Sequence, residues 1–339
     1  MLKPNETGFN GEPRMTRTID TVVIGGSAGS LAALKTILAA LPADLPAAVL
    51  VCQHSSALSE MRAVDLLRHG SALPLEEARD GLPVRPGHGV VAVHDTHLML
   101  GRDHVHLRRG AHENNFRPAI DPLFRSAAIY RATRAVAVVL SGLLDDGAAG
   151  ARAMARCGGR VLVQDPDTAD WPDMPRAALR AVPEAEAVPL ERMAARIAEL
   201  AGAPCAPAPE IPVEIGIELK IAGLEGANMA NEGRLGELSP YNCPHCNGVL
   251  WEIRDGPLTR FRCHTGHAYT IDTLDRSQEE ALDHGLFNSL RAHKGRAALL
   301  RQMAEKAGPQ SERMFLSRAA LVEEDAARLE EIIRSRRAA

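Results

Sequence analysis

Short runs rich in Val, Ile, Leu and Ala recur at 20–24, 48–52, 89–93, 135–140 and 160–163. None alternates cleanly between apolar and polar, the pattern of strands covered on both faces. Helical spacing fills the intervals near 29–41, 58–68, 121–133, 148–157, 174–182 and 190–202. This exchange of strand and helix predicts an α/β domain over residues 18–202, built on a doubly wound, mostly parallel sheet. His97 to Leu107 breaks the rhythm, and its Gly101-Arg-Asp103 centre predicts an antiparallel hairpin.

The pattern changes after residue 202. Four prolines in residues 203–212 predict a semi-rigid linker and a domain boundary. Val213, Ile215, Ile217, Leu219 and Ile221 alternate, which predicts a strand, so 203–238 reads as linker plus strand. A cysteine cluster occupies 239–270. Leu282, Leu286, Leu290 and their successors then step by three and four, as do Phe315, Ala319 and Val322. Residues 271–339 therefore read as a helical hairpin broken at Gly308-Pro309, with Ser277 and Glu280 as its opening capping box. The polar residues 1–17 read as a disordered leader. The boundary at 203–212 predicts an α/β domain that works without the cysteine segment.

Composition narrows the functional classes. A net charge of -4 leaves no electrostatic footprint for nucleic acid. Aromatics at 3% supply no stacking platform for single strands. No apolar run reaches the roughly 18 residues of a membrane span, and no signal-peptide core precedes the first strand, so a cytoplasmic location is expected. Cys52, Cys157 and Cys205 stand alone, the first two as buried core residues. Cys243, Cys246 and Cys263 cluster, which without a secretory signal points to metal rather than disulfide.

Reactive residues follow three of the strands. Ser27 lies in Gly25-Gly-Ser-Ala-Gly29, a G-x-S-x-G turn from strand to helix. Such a serine is a nucleophile or part of a phosphate loop. The loop has neither the Lys of a P-loop nor the G-x-G-x-x-G spacing. The second strand ends in Gln53-His54, and His54 tips the reading toward a nucleophile. Asp145 and Asp146 follow the run 135–140. In an open parallel sheet these positions share one edge. A serine needs a His to take its proton and a carboxylate to orient that His. The bland alternatives are a satisfied polar His and an Asp-Gly turn.

Several segments together resemble the CheB-type chemotaxis protein-glutamate methylesterases. They are Ile24-Gly-Gly-Ser-Ala-Gly29, Val51-Cys-Gln-His54, Arg117-Pro-Ala-Ile-Asp-Pro-Leu-Phe-Arg-Ser126, Leu140-Ser-Gly-Leu-Leu-Asp-Asp-Gly147, and Gln164-Asp with Met174-Pro-Arg176. The resemblance covers residues 18–202. It implies a catalytic triad of Ser27, His54 and Asp146. The implied reaction is hydrolysis of glutamyl methyl esters on chemoreceptor signalling domains, with glutamine deamidation in some members and no catalytic cofactor. Where the family often has Met-Gly-Asn, this chain has Leu143-Leu144-Asp145. The resemblance implies an oxyanion site in which the Leu143 amide stands in for that of the Met, alongside the Ala28 amide. The family's usual receiver domain is not expected ahead of the first strand, and regulation is expected from a protein partner acting in trans.

Cys243-Pro-His-Cys246 and Arg262-Cys-His-Thr-Gly-His267 resemble the zinc-ribbon-like tail of a subset of these esterases. The resemblance implies a structural zinc ion held by Cys243, Cys246, Cys263 and His267. His264 is the alternative fourth ligand and His245 a weaker one. A redox pair or a relic site is the competing reading. His94, His97, His104 and His106 read as surface residues of the hairpin. Two other functions compete with the methylesterase: a general serine hydrolase of small esters, and an adaptor that binds a partner through its C-terminal module.

Overall fold

The structure, a computed structural model, describes residues 17–54, 62–223 and 236–336. The expected leader, apart from Arg17, and the first part of the helix expected at 58–68 lie outside the described residues. Those up to Thr273 form one compact unit and those from Leu274 onward another.

The first unit holds a seven-stranded parallel sheet in the order β3-β4-β2-β1-β7-β8-β9. Its strands are β1 (Thr21–Gly26), β2 (Ala48–Gln53), β3 (Leu75–Glu77), β4 (Gly89–Val91), β7 (Ala135–Val139), β8 (Arg160–Gln164) and β9 (Glu186–Val188). β5 (His97–Leu100) and β6 (Val105–Arg108) form the expected antiparallel hairpin. The helices are α1 (Ser30–Ala40), α2 (Ala63–Arg68), α3 (Ile120–Tyr130), α4 (Ala148–Arg156), α5 (Asp173–Ala181) and α6 (Leu190–Leu200).

Alternate residues of each central strand enter opposite cores. Val22, Ile24, Val49 and Val51 pack with Leu34 and Leu38 of α1 and Ile197 of α6. Val23, Leu50, Ala137 and Val139 pack with Leu123 and Phe124 of α3 and Met154 of α4. Each of the larger of these side chains contributes about 1.5–3 kcal/mol when buried. That explains the unbroken apolar runs. The three-residue strands β3 and β9 were invisible to periodicity because two turns of the pleat set no pattern.

Two expectations after residue 202 need correction. Residues 213–221 do not form a strand: they belong to the helix α7 (Val213–Ala222). It buries Ile215, Glu218, Leu219, Ile221 and Ala222, even-numbered residues included, and leaves Val213 exposed. The Glu218 carboxylate decides it, because its partners Arg125, Arg260 and Arg262 lie on that side. Ser277 opens no helix. α8 (Ile271–Glu305) begins six residues earlier, where the Thr270 hydroxyl accepts the Thr273 amide at 3.3 Å. α9 (Pro309–Arg336) completes the expected hairpin, bound to α8 through Arg301–Glu323 at 2.7 Å and Lys294–Glu330 at 2.5 Å.

The cysteine segment is a four-stranded antiparallel sheet of β10 (Glu237–Asn242), β11 (Val249–Asp255), β12 (Leu258–Cys263) and β13 (Ala268–Thr270). It packs within the first unit. Arg152 of α4 meets Asp255 at 3.0 Å. Arg125 of α3, Glu113, Glu218 of α7, and Arg260 and Arg262 of β12 form one buried ionic network. Burial would raise the Glu218 carboxyl, but Arg260 and Arg125 hold it well below its ordinary range.

Candidate active site

The chain reverses its course across the sheet at β1, with β2 on one side and β7 on the other. Loops at the carboxyl ends of these three strands converge there. Ser27 leaves β1, His54 leaves β2, and Asp146 follows β7. His54 Nδ1 lies 3.0 Å from Ser27 Oγ, and His54 Nε2 lies 2.7 Å from Asp146 Oδ2. The ring is turned the other way from the serine-protease arrangement, in which Nε2 faces the serine. The chemical requirement is unchanged. One nitrogen donates to the carboxylate and the other accepts from the hydroxyl.

Each member is held by its surroundings. The Ser27 amide donates to Ser141 O at 3.0 Å. The Ser27 carbonyl accepts from Gln53 Nε2 at 3.0 Å and Ser30 Oγ at 2.5 Å. A Cβ added at Gly142 would stand 2.8 Å from Ser27 Cβ and 2.0 Å from Met174 Sδ, so only glycine lets this loop pass the serine so closely. The His54 amide donates to Gly26 O, and Phe116 stacks on the ring with centroids 3.6 Å apart.

Asp146 is buried and rich in donors. Besides His54, its carboxylate accepts the Ile120 amide at 2.7 Å, the Asp121 amide at 3.3 Å, Asn114 Nδ2 at 3.0 Å and the Gly147 amide at 3.0 Å. The first two are the free amides at the N-terminus of α3. Burial pushes the Asp146 carboxyl up, but these bonds and His54 outweigh it and hold it below its usual value. Burial, then the Asp146 charge, pushes neighbouring Asp121 up to about 8. Asp146 is therefore the charged member of the pair.

Asp145 points elsewhere. Its Oδ1 accepts Thr270 Oγ1 at 2.9 Å and Thr273 Oγ1 at 3.2 Å. Leu144 takes φ 61°, the left-handed region that favours glycine. Among the described residues, neither the Ala28 nor the Leu143 amide has a hydrogen-bond acceptor. Leu143 and Trp171 are exposed at this rim, where the Gly142 amide donates to Trp171 O.

The second cluster lies in the antiparallel sheet. Ligand atoms of Cys243, Cys246, Cys263 and His267 all lie within 4.8 Å of one another. Cys246 Sγ and Cys263 Sγ are 3.7 Å apart, and Cys263 Sγ and His267 Nδ1 are 3.4 Å apart. Tetrahedral zinc with Zn–S bonds of about 2.3 Å sets sulfur atoms about 3.8 Å apart, so the four residues fit such an ion. Tyr269 Oη, 3.2 Å from Cys243 Sγ, supports a thiolate there. His264 and His245 are not in the group. His264 packs against Gly248, and His245 bonds Tyr269 and stacks on His267.

A sequence model of the CheB methylesterase family matches residues 22–197. The chain belongs to the CheB methylesterase family. A protein-glutamate methylesterase/protein-glutamine glutaminase of Xanthomonas campestris pv. campestris is 39% identical over 189 residues, 54% of this chain and 52% of that protein. One from Anaeromyxobacter dehalogenans is 36% identical over 189 residues, covering 55% and 53%. The chain thus spans about half the length of the curated relatives it matches. The crystal structure of the Thermotoga maritima CheB methylesterase catalytic domain superposes with a TM-score of 0.51 at 31% identity, over 53% of this chain and 98% of that one. The family match ends before β10, so the Cys₃His sheet lies outside it.

The sheet edge thus brings Ser27, His54 and Asp146 together and leaves Asp145 out. Three neighbours carried no assigned role in the sequence: Asn114, Phe116, and Asp121 of the Arg117–Ser126 segment. The only signal for the first two was an Asn-Asn-Phe loop just ahead of the CheB Arg-Pro motif, and both Asn residues have positive φ. The four hairpin histidines are not alike. The His104 and His106 rings meet edge to face, with centroids 4.6 Å apart. His97 corrects the surface assignment: it is buried, with Nε2 2.9 Å from Ala111 O and Nδ1 accepting the Ala119 amide at 3.2 Å. No helix among the described residues is long and apolar enough to cross a membrane.

Proposed function

We propose that this chain is a serine hydrolase that removes methyl esters from glutamate side chains of chemoreceptor signalling domains. The observation that carries this is the continuous Ser27–His54–Asp146 hydrogen-bond chain at the carboxyl edge of a CheB-family sheet. His54 Nδ1 accepts the Ser27 hydroxyl proton as Oγ attacks the ester carbonyl carbon. The amides of Ala28 and Leu143 donate to the oxyanion that forms. His54 then gives that proton to the departing methoxy oxygen, releasing methanol and leaving an acyl-serine. A water, deprotonated by His54, attacks the acyl carbon. That proton passes from His54 to Ser27 Oγ as the acyl bond breaks, and the glutamic acid product leaves and loses its remaining proton to solvent. Asp146 holds the Nε2–H throughout and stabilises the imidazolium. A glutamine amide follows the same path with ammonia as leaving group, the second activity in the relatives' names.

A zinc ion held by Cys243, Cys246, Cys263 and His267 leaves no ligand position open, so its part is structural. When bound, it ties the β10–β11 turn to the β12–β13 turn. The reaction proceeds in the cytoplasm and needs no cofactor. Methanol release from a methylated receptor signalling fragment, compared with hydrolysis of a small soluble ester, tests the substrate. Equal kcat/KM on both would reduce the protein to a general esterase.

A further inference from the structure

The loop 110–117 has two sets of neighbours. On one side it meets the Cys₃His sheet through an isolated parallel bridge, Glu113 to Ala268. The Asn114 amide donates to Ala268 O of β13 at 2.8 Å, and the Ala268 amide donates to His112 O at 3.3 Å. The Glu113 carboxylate sits between Arg125 of α3 and Arg262 of β12 at 3.2 and 3.0 Å. The His112 ring stacks on His245, and His245 stacks on the metal-cluster residue His267, with centroids 5.7 and 4.9 Å apart.

On the other side the same loop reaches the triad. Asn114 Nδ2 carries two hydrogens and has two acceptors, Asp146 Oδ1 and Asp121 Oδ2, each at 3.0 Å. Phe116 covers the His54 ring. The sheet also holds the Asp146 loop from behind, through Thr270 Oγ1 and Asp145 Oδ1. A sheet this small depends on its metal for much of its folding free energy.

We propose that the Cys₃His sheet is a clamp on the active site. With metal bound it fixes loop 110–117, and Asn114 and Phe116 then position Asp146 and His54 against Ser27. Asn suits this position because it tolerates φ 51° and its amide offers two donors to two carboxyl groups. The clamp rests on the serine mechanism proposed above. It reverses the expectation, drawn from the domain's own sheet and the Pro-rich boundary, that hydrolysis survives metal loss.

The test uses the full chain, zinc-loaded, chelator-stripped and reloaded, with p-nitrophenyl acetate as substrate and amide hydrogen exchange as the second readout. Stripping should lower kcat about 10²-fold, the cost of a misplacement near 1 Å, with KM within about twofold. Exchange should quicken in 110–117 together with 239–270, while β1 and β7 stay protected, and zinc should restore both readouts. Metal-loaded Asn114→Gly, which keeps the backbone conformation accessible, should lose kcat about tenfold or more at unchanged zinc content. Stripping that variant should cost less than stripping wild type, since the Asn114 part of the clamp is already gone. The clamp is wrong if the protein binds no zinc, if 110–117 stays protected when 239–270 opens, or if stripped enzyme or Asn114→Gly keeps kcat within about twofold. Ser27→Ala separates the failures. Its inactivity beside a fully active stripped enzyme removes only the clamp, whereas its activity removes the serine mechanism.

Discussion

Asp146 lies 2.7 Å from His54 Nε2, while Asp145, its neighbour in the chain, is hydrogen-bonded to Thr270 and Thr273 instead. Two adjacent carboxylates therefore have different work. Asp146→Asn should lower kcat by about 10⁴, because the amide holds the wrong imidazole tautomer. Asp145→Asn keeps an oxygen for the threonine hydroxyls and should stay within a few-fold of wild type. Steady-state hydrolysis of a small ester by both variants checks the assignment, and the reverse ranking would contradict it.

The same Asp145→Asn variant has a pH signature. Burial raises Asp145 from 3.8 to about 6 and outweighs the Thr270 and Thr273 hydrogen bonds, which lower it; the Asp272 and Asp146 charges add smaller increments. A carboxyl whose folded value is raised adds stability below its unfolded value and loses it as pH climbs through the folded one. Wild type should thus fall behind Asp145→Asn progressively between about pH 4 and pH 6. The gap should level off near 3 kcal/mol, about 1.4 kcal/mol per pH unit. Denaturant melts across that range measure it. A difference independent of pH would show that Asp145 is not held in this way.

Leu144 sits at φ 61°, at the place where the family often has glycine. A left-handed leucine costs about 1–2 kcal/mol, partly offset by the entropy that glycine loses on folding. Leu144→Gly should therefore raise stability by about 0.5–1 kcal/mol. A lower melting temperature would mean that the half-buried leucine side chain contributes more than the strain costs.

Sequence patterns were most informative where one physical constraint dominated. Both-face burial made β1, β2 and β7 unmistakable, and strand ends then fixed where Ser27 and His54 had to lie. Choosing between Asp145 and Asp146 needed a family motif, because period and spacing treat the pair alike. α7 was misread because its odd-numbered apolar residues imitate a strand. What makes it a helix is one buried carboxylate, Glu218, whose three arginine partners lie 93, 42 and 44 residues away in the chain, and no local pattern carries that. Asn114 escaped for the same reason. Its partners are Asp121, Asp146 and Ala268, and only the folded chain brings all three together.

The metal cluster makes its own prediction. Protein purified without chelators should carry about one equivalent of zinc, and Cys263→Ser should lose it. Elemental analysis settles the point. Less than about one-tenth of an equivalent in wild type would count against a structural zinc site.

The central claim is that Ser27 is the nucleophile. The most direct measurement is methanol release by Ser27→Ala from a receptor fragment methylated at glutamate, with folding checked by circular dichroism. The predicted result is native structure with turnover reduced about 10⁴-fold or more. A correctly folded Ser27→Ala enzyme within tenfold of wild type would contradict it.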